Sequence, residues 1–211
     1  MEGAVGVLVN NAGYSQSGAV EGVPLDLARR QLETNVVGVA RMCRLALPGM
    51  RRQRWGRIVN VSSMGGRLVF PGGGWYHASK HALEALSDAL RYEVRPFGVE
   101  VVVVEPGLVR TEFANAVSAA MGEAGTGDGP YAEFDRAVDR RTRSAYEGGV
   151  LARFSRPPDA VAEVIERALL ADRPRTRYAD HGARALLVAR RVLPDRAWDA
   201  AMRLVYPQPG G

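Results

Sequence analysis

Three short apolar runs constrain this chain more than any other feature. Ala4 to Val9, Arg57 to Val61 and Glu100 to Val104 are each nearly continuous in Val, Ile and Leu rather than alternating with polar residues. That pattern suits strands buried on both faces, as in a parallel sheet. Each run ends at turn chemistry: Asn10-Asn11-Ala12-Gly13, then Ser62-Ser63 with a glycine-rich loop through Gly74, then Pro106-Gly107. Between the runs lie stretches of helical period. Asp26 to Met50 carries Leu32, Val36, Val39, Leu45 and Met50 near helical spacing, with Asp26 in the first turn after Pro24. Tyr76 to Arg95 carries Ala82, Leu83, Leu86 and Leu90 on one face and stops at Pro96. Strands alternating with helices predict an α/β fold, a parallel sheet with right-handed crossovers and helices over both faces.

Residues 112–157 read differently. They are rich in glycine and charge, with a loop composition from Gly122 to Gly129 and a helical piece from Tyr131 to Tyr146. A connection of that length inside a compact domain is usually a functional cover. Beyond it the sequence predicts a helix from Pro158 to about Ala171, an edge strand at Arg177-Tyr178-Ala179, and basic amphipathic helices over His181 to Leu193 and Asp195 to Val205. These closing helices are expected to pack on the domain rather than on a membrane. No repeat or linker divides residues 1–211, so one domain is expected.

Composition removes several function classes. The net charge of +5 comes from scattered arginines interleaved with acids, a solvated surface rather than a nucleic-acid footprint. The one cysteine, Cys43, can form neither an internal disulfide nor a metal cluster, which fits a reducing, cytoplasmic setting. No apolar run has the length of a transmembrane span, and the N-terminus lacks a signal-peptide pattern.

Of 28 basic residues, only Lys80 is lysine. It stands four residues after Tyr76, so phenol and ammonium share one helical face. Lowering a phenol pKa from about 10 to about 7 takes roughly 4 kcal/mol. A cation about 4 Å away at an effective dielectric of about 20 supplies that order. Ser63 lies thirteen residues before Tyr76, at the end of a predicted strand. Ligands of parallel α/β sheets bind outside the carboxyl ends of the strands, where Asn10 to Gly13, Ser63, Tyr76 and Pro106 to Thr111 all fall. Asn35, a poor helix former among Val36, Val37 and Val39, is expected to be partly buried and therefore partnered.

Together these residues resemble the short-chain dehydrogenase/reductase (SDR) family. The resemblance is carried by Asn10-Asn11-Ala12-Gly13, by Asn35 in Glu33-Thr34-Asn35-Val36-Val37-Gly38, and by Gly56 to Ser63. It continues in Tyr76-His77-Ala78-Ser79-Lys80 and Pro106-Gly107-Leu108-Val109-Arg110-Thr111. Their order and spacing match from residue 4 to about 115. More weakly, Pro174 to Tyr178 and the closing helices resemble the steroid and retinol dehydrogenase branch. The resemblance implies a Rossmann-like oxidoreductase that uses NAD or NADP to interconvert a hydroxyl and a carbonyl group on a small-molecule substrate. Tyr76 would be the general acid/base and Ser63 would polarise the substrate oxygen. Lys80 would lower the tyrosine pKa and hold the nicotinamide ribose, and Asn35 would hold a water behind it. Asn10, Asn11, Ala12, Gly13, Pro106, Gly107, Val109 and Thr111 would line the cofactor with Tyr76 and Lys80. Residues 112–157 would cover the substrate, and the full-length protein would be a homo-oligomer.

The family's opening strand and Thr-Gly-x-x-x-Gly-x-Gly turn have no counterpart here. Gly65-Gly66 and Gly72 to Gly74 follow Ser63 and belong to the substrate side. The family's first three strands are therefore expected to be missing. That leaves a partial sheet with an apolar edge at Ala4 to Val9 and weak hold on the cofactor. Two expectations follow: an oxidoreductase whose reading frame starts upstream of Met1, or an inactive fragment that acts by associating with another chain.

Overall fold

The computed structural model describes residues 4–125, 129–148, 152–153, 155–179 and 181–209. Strands β1 (Val7–Asn10), β2 (Gly56–Val61), β3 (Val99–Glu105) and β4 (Arg177–Ala179) form one sheet in the order 1-2-3-4, every neighbouring pair parallel. The crossovers are helical, as parallel pairing requires. Between β1 and β2 run α1 (Leu25–Leu32) and α2 (Gly38–Arg52), and between β2 and β3 runs α3 (Gly74–Val94). Helices α4 (Phe113–Glu123), α5 (Ala132–Glu147) and α6 (Pro158–Leu170) lie between β3 and β4. Helices α7 (His181–Val192) and α8 (Asp195–Val205) close the chain.

Register sorts the strand residues into two faces. The row Leu8, Ile58, Val101 packs against Val39, Cys43, Ala46 and Met50 of α2 and Leu83 of α3. The next row contributes Val59 and Val102, which pack with Val104 against α6 through Ala168, Val164 and Ile165. β2 is buried at every position, which makes Arg57 an oddity there. Its Nη1 donates to the carbonyls of Ala168, Leu169 and Ala171 at 3.2, 2.6 and 2.7 Å. A strand cation thus caps the C-terminal end of α6, where carbonyls lack helical partners. Gly98 turns the chain into β3 with φ +75, and a Cβ there would lie 2.2 Å from the Arg54 carbonyl oxygen.

The structure departs from expectation in three places. The helix expected over Asp26 to Met50 is continuous from Leu25 to Arg52, but Glu33–Val37 forms a π turn inside it. Coverage of both sheet faces holds for β2 and β3 only; β1 is the edge and leaves Val5, Val7 and Val9 exposed. Within residues 112–157, α5 matches the helical piece expected over Tyr131 to Tyr146, whereas α4 was not expected. α4 buries Ala114, Val117 and Met121 at helical spacing, and alanine is the best helix former. Its core is shared with Phe134 and Val138 of α5 and with Ala19. Parts of that covering segment, 126–128, 149–151 and 154, lie outside the described residues.

The covering segment leaves and returns at one point. Arg110 N donates to Arg156 O and Arg156 N to Leu108 O, both at 2.8 Å, a single parallel bridge between Val109 and Arg156. Its far side is pinned where Asp135 Oδ1 accepts the Ala19 N–H at 2.9 Å.

Candidate active site

The carboxyl ends of β1, β2 and β3 meet at one rim. Just past β2, Ser63 is extended, and its Oγ accepts the Gly65 N–H at 3.1 Å, capping a short 3-10 turn. Met64 N donates to Pro106 O at 2.9 Å, which ties the end of β2 to the end of β3. α3 begins at Gly74, so Tyr76 lies in its first turn and Lys80 one turn further on. The structure therefore brings Ser63, Tyr76 and Lys80 together.

Electrostatics there are set by burial. Desolvation pushes the Tyr76 phenol above its ordinary value, while a hydrogen bond from Ser63 favours the phenolate and opposes it. Lys80 is buried, with Nζ donating to Val61 O at 3.0 Å and lying 5.9 Å from the centre of the Tyr76 ring. Burial lowers its pKa to about 8, and Glu84 acts the other way. The lowering expected from Lys80 is therefore corrected: burial raises the phenol, and the group that opposes it is Ser63.

Asn35 is fully buried and occupies the π turn. Its Nδ2 donates to Tyr14 O at 3.0 Å and Ser79 Oγ at 2.9 Å, and its Oδ1 accepts the Tyr14 N–H at 3.2 Å. Ser79 in turn donates to the Tyr76 carbonyl at 2.7 Å. Asn35 clamps the loop after β1 against the helix carrying Tyr76. Both amide hydrogens are used, which leaves one Oδ1 lone pair for a water. A Cβ on Gly13 would sit 3.1 Å from Asn35 Oδ1 and 3.4 Å from Lys80 Nζ, so the β1 turn approaches the lysine closely.

Asn10 stands apart from the other predicted residues. Its side chain turns into the core, donating to Asn60 Oδ1 at 2.8 Å and toward Cys43 Sγ at 3.6 Å. Asn60 continues to Ser87 Oγ at 2.8 Å. What Asn10 offers the rim is backbone. Asn11, Ala12 and Gly13 are exposed at the rim, and Pro106, Gly107 and Val109 are half-buried. Thr111 Oγ1 accepts the Phe113 N–H at 3.2 Å, at the head of α4.

Three groups at the site were not singled out from sequence. Phe113 of α4 packs edge-on to Tyr76 at 5.9 Å between ring centres, and Tyr146 of α5 packs on Phe113 at 5.7 Å. Burial, and then the neighbouring Tyr76, push the Tyr146 phenol well above its usual range. Behind Lys80, Arg177 Nε reaches Glu84 Oε2 at 3.1 Å and Glu105 Oε1 at 3.2 Å, and its Nη2 lies 2.7 Å from Asp88. This ionic cluster fixes β4 to α3. His77 is the third group. Of these, Phe113 stands two residues past Thr111 and His77 stands inside the Tyr76 to Lys80 motif.

The sequence model of the short chain dehydrogenase family matches residues 1–122. The chain belongs to that family. Among its SDR relatives, the uncharacterized oxidoreductase YbbO of Escherichia coli K12 is 33% identical over 197 residues, covering 93% of this chain and 66% of the relative. The NADPH-dependent 3-dehydrocapnine reductase of Ornithobacterium rhinotracheale is 34% identical, with 92% of this chain and 67% of the relative covered. A crystal structure of a Burkholderia phymatum SDR in complex with NAD superposes with a TM-score of 0.73 at 27% identity, covering 99% of this chain and 69% of that one. The chain thus spans about two thirds of the length of these SDR relatives. Among the described residues no helix is long and apolar enough to cross a membrane.

Proposed function

We propose that this SDR chain carries the reacting centre of an NAD(P)-dependent oxidoreductase that interconverts an alcohol and a carbonyl group, with Tyr76 as the general acid/base. The convergence of Ser63, Tyr76 and Lys80 at the carboxyl end of β2 carries the reading. The residues present suit a nicotinamide–ribose end. The Lys80 ammonium has three donors and spends one on Val61 O, and Gly13 admits a close approach beside it. Asn11 to Gly13 and Pro106 to Thr111 would flank the cofactor. When bound, the cofactor supplies the hydride.

The chain's own groups handle the proton. Ser63 Oγ uses an acceptor lone pair on Gly65 N–H, and its O–H, which meets the Tyr76 phenol in this structure, would turn to a substrate oxygen seated between the two. Tyr76, kept protonated by burial, gives its proton to that oxygen as it gains negative charge; in the reverse direction it takes the proton back. Lys80 favours the phenolate so formed. Asn35 would hold a water behind Lys80 through its remaining Oδ1 lone pair.

The face opposite Tyr76 is aromatic, built by Phe113 and Tyr146. It supports a substrate whose carbonyl is joined to an apolar body, as the weaker likeness to the steroid and retinol branch also implies. The test is Tyr76→Phe in the natural gene product, assayed as carbonyl reduction at saturating cofactor. The expected loss is on the order of a thousandfold with an unchanged melting curve. A rate equal to wild type overturns the assignment.

A further inference from the structure

We propose that His77 is a positioning residue, whose ring sets the Ser63 to Gly74 loop on α3 so that Ser63 and Tyr76 address one substrate oxygen. The inference rests on the roles just proposed for Ser63 and Tyr76.

His77 follows Tyr76 in sequence, yet its side chain is buried at 6% exposure, off the open rim. Both ring nitrogens are engaged by the loop. Nδ1 lies 3.0 Å from Gly65 O, and Nε2 accepts the Phe70 N–H at 3.2 Å. A carbonyl can only accept and an amide N–H can only donate, so the ring is neutral with its proton on Nδ1. Burial and nearby His81 hold its pKa down, to about 4, although the Gly65 carbonyl pulls the other way. The ring therefore keeps this bonding pattern throughout the neutral range.

Gly65 is the link to chemistry. Its N–H donates to Ser63 Oγ at 3.1 Å while its carbonyl takes the His77 proton. The residue is strung between the hydroxyl and the imidazole, so the ring's position fixes which Ser63 lone pair is occupied and where its O–H can point. The slot is shaped for the ring. A Cβ on Gly65 would lie 2.6 Å from Nδ1, and one on Gly73 would lie 2.7 Å from Nε2. The walls are the Phe70 and Tyr76 rings, 5.9 and 5.6 Å from the imidazole between ring centres. A histidine kept only for packing would not need one donor and one acceptor aimed at two separate points of the same loop.

Two substitutions divide the ring's bonds between them. His77→Asn keeps an N–H donor near the Nδ1 position and loses the Phe70 acceptor. His77→Gln puts an acceptor near Nε2 and loses the Gly65 bond. Carbonyl reduction at saturating cofactor is measured for both in the natural gene product, with KM, melting curves and amide exchange at Gly65 and Phe70. The expected result is a kcat for His77→Asn about tenfold above that of His77→Gln, with faster exchange at Phe70 in the first and at Gly65 in the second. Equal kcat values in the two variants overturn the proposal, whatever either does to the melting curve. Tyr76→Phe run alongside separates the two failures. If that variant is as active as wild type the underlying reading fails; if it is inactive and the Asn and Gln variants match, only the role of His77 fails.

Discussion

Behind Tyr76 the protein is tied by hydrogen bonds; in front of it, by rings. The rear wall is Asn35, Ser79, Lys80 and the Val61 carbonyl, each holding another at 2.9 to 3.0 Å. In the front wall the Phe113 ring packs on Tyr76 at 5.9 Å and the Tyr146 ring packs on Phe113 at 5.7 Å. Hydrogen bonds are directional and costly to leave unmade, whereas ring packing tolerates repacking at modest cost. On the proposed mechanism, the rear wall would set the geometry of proton transfer and the front wall would meet the body of the substrate. The front segment is still not a free flap. Its two ends share the Val109 to Arg156 bridge, and Asp135 holds it to Ala19.

The comparison breaks first at Lys80. Its ammonium sits in a buried slot bounded by Gly13, Val61 and the Tyr76 ring. A guanidinium is larger and planar, and its fixed fork does not fit a slot shaped for a compact ammonium. Lys80→Arg is expected to lose activity by about a hundredfold, with the fold retained in the melting curve. Every other cation in this chain is arginine. If Lys80 were only another cation, the variant would keep its rate, and the rear wall would lose its claim on the mechanism.

A smaller effect is expected in front. Phe113→Ala removes the ring that lies on Tyr76 without touching a hydrogen bond of the rear wall. KM for a bulky apolar ketone should rise about tenfold while kcat stays within about threefold. A small ketone that cannot reach the front wall should show no change in KM. A kcat loss as large as that of Lys80→Arg would erase the distinction between the walls.

The two walls also differ in how well sequence reveals them. Tyr76 and the rear wall were legible because the residues that mark them follow strand ends or share a helix turn: Ser63 after β2 points to Tyr76, and Lys80 stands four residues beyond it. Asn35 was marked by polarity among valines. Strands β1 to β3 were legible from the apolar runs, and the place of β1 at the edge from the family resemblance. What escaped depends on distance. Phe113 and Tyr146 meet across 33 residues, and no local pattern records that. α4 was hidden by glycine and charge in its neighbourhood, although its own alanines favour a helix. The π turn at Asn35 and the inward turn of Asn10 toward Asn60 are tertiary choices, made because a buried amide must find partners. His77 sat inside a recognised motif and was passed over, since one histidine on a helix looks like any other until both ring nitrogens have partners.

The last effect, on stability rather than on rate, is also the most direct reading of the rear wall. Burial lowers Lys80 from 10.5 to about 8. Between those values the unfolded chain still binds a proton that the folded chain has released, so stability rises with pH across this window. Below pH 8 both states are charged, and the fold bears the full cost of burying the ammonium. From pH 7 to 9.5 the gain should be about 2 kcal/mol. Tyrosines act in the opposite sense. Tyr76, Tyr131, Tyr146 and Tyr206 are all raised above 10.0 in the fold, so their stabilising contribution is lost as pH rises beyond that value. Denaturant unfolding of wild type and Lys80→Met at pH 7 and pH 9.5 isolates the lysine, because everything else titrates alike in both. Wild type should gain about 2 kcal/mol relative to the variant on going to the higher pH. Since Lys80 is the one lysine, labelled lysine also gives a single side-chain resonance, expected to titrate near pH 8. Parallel stabilities at the two pH values, with a resonance titrating near 10.5, would mean that the ammonium is solvated and the rear wall is open to water.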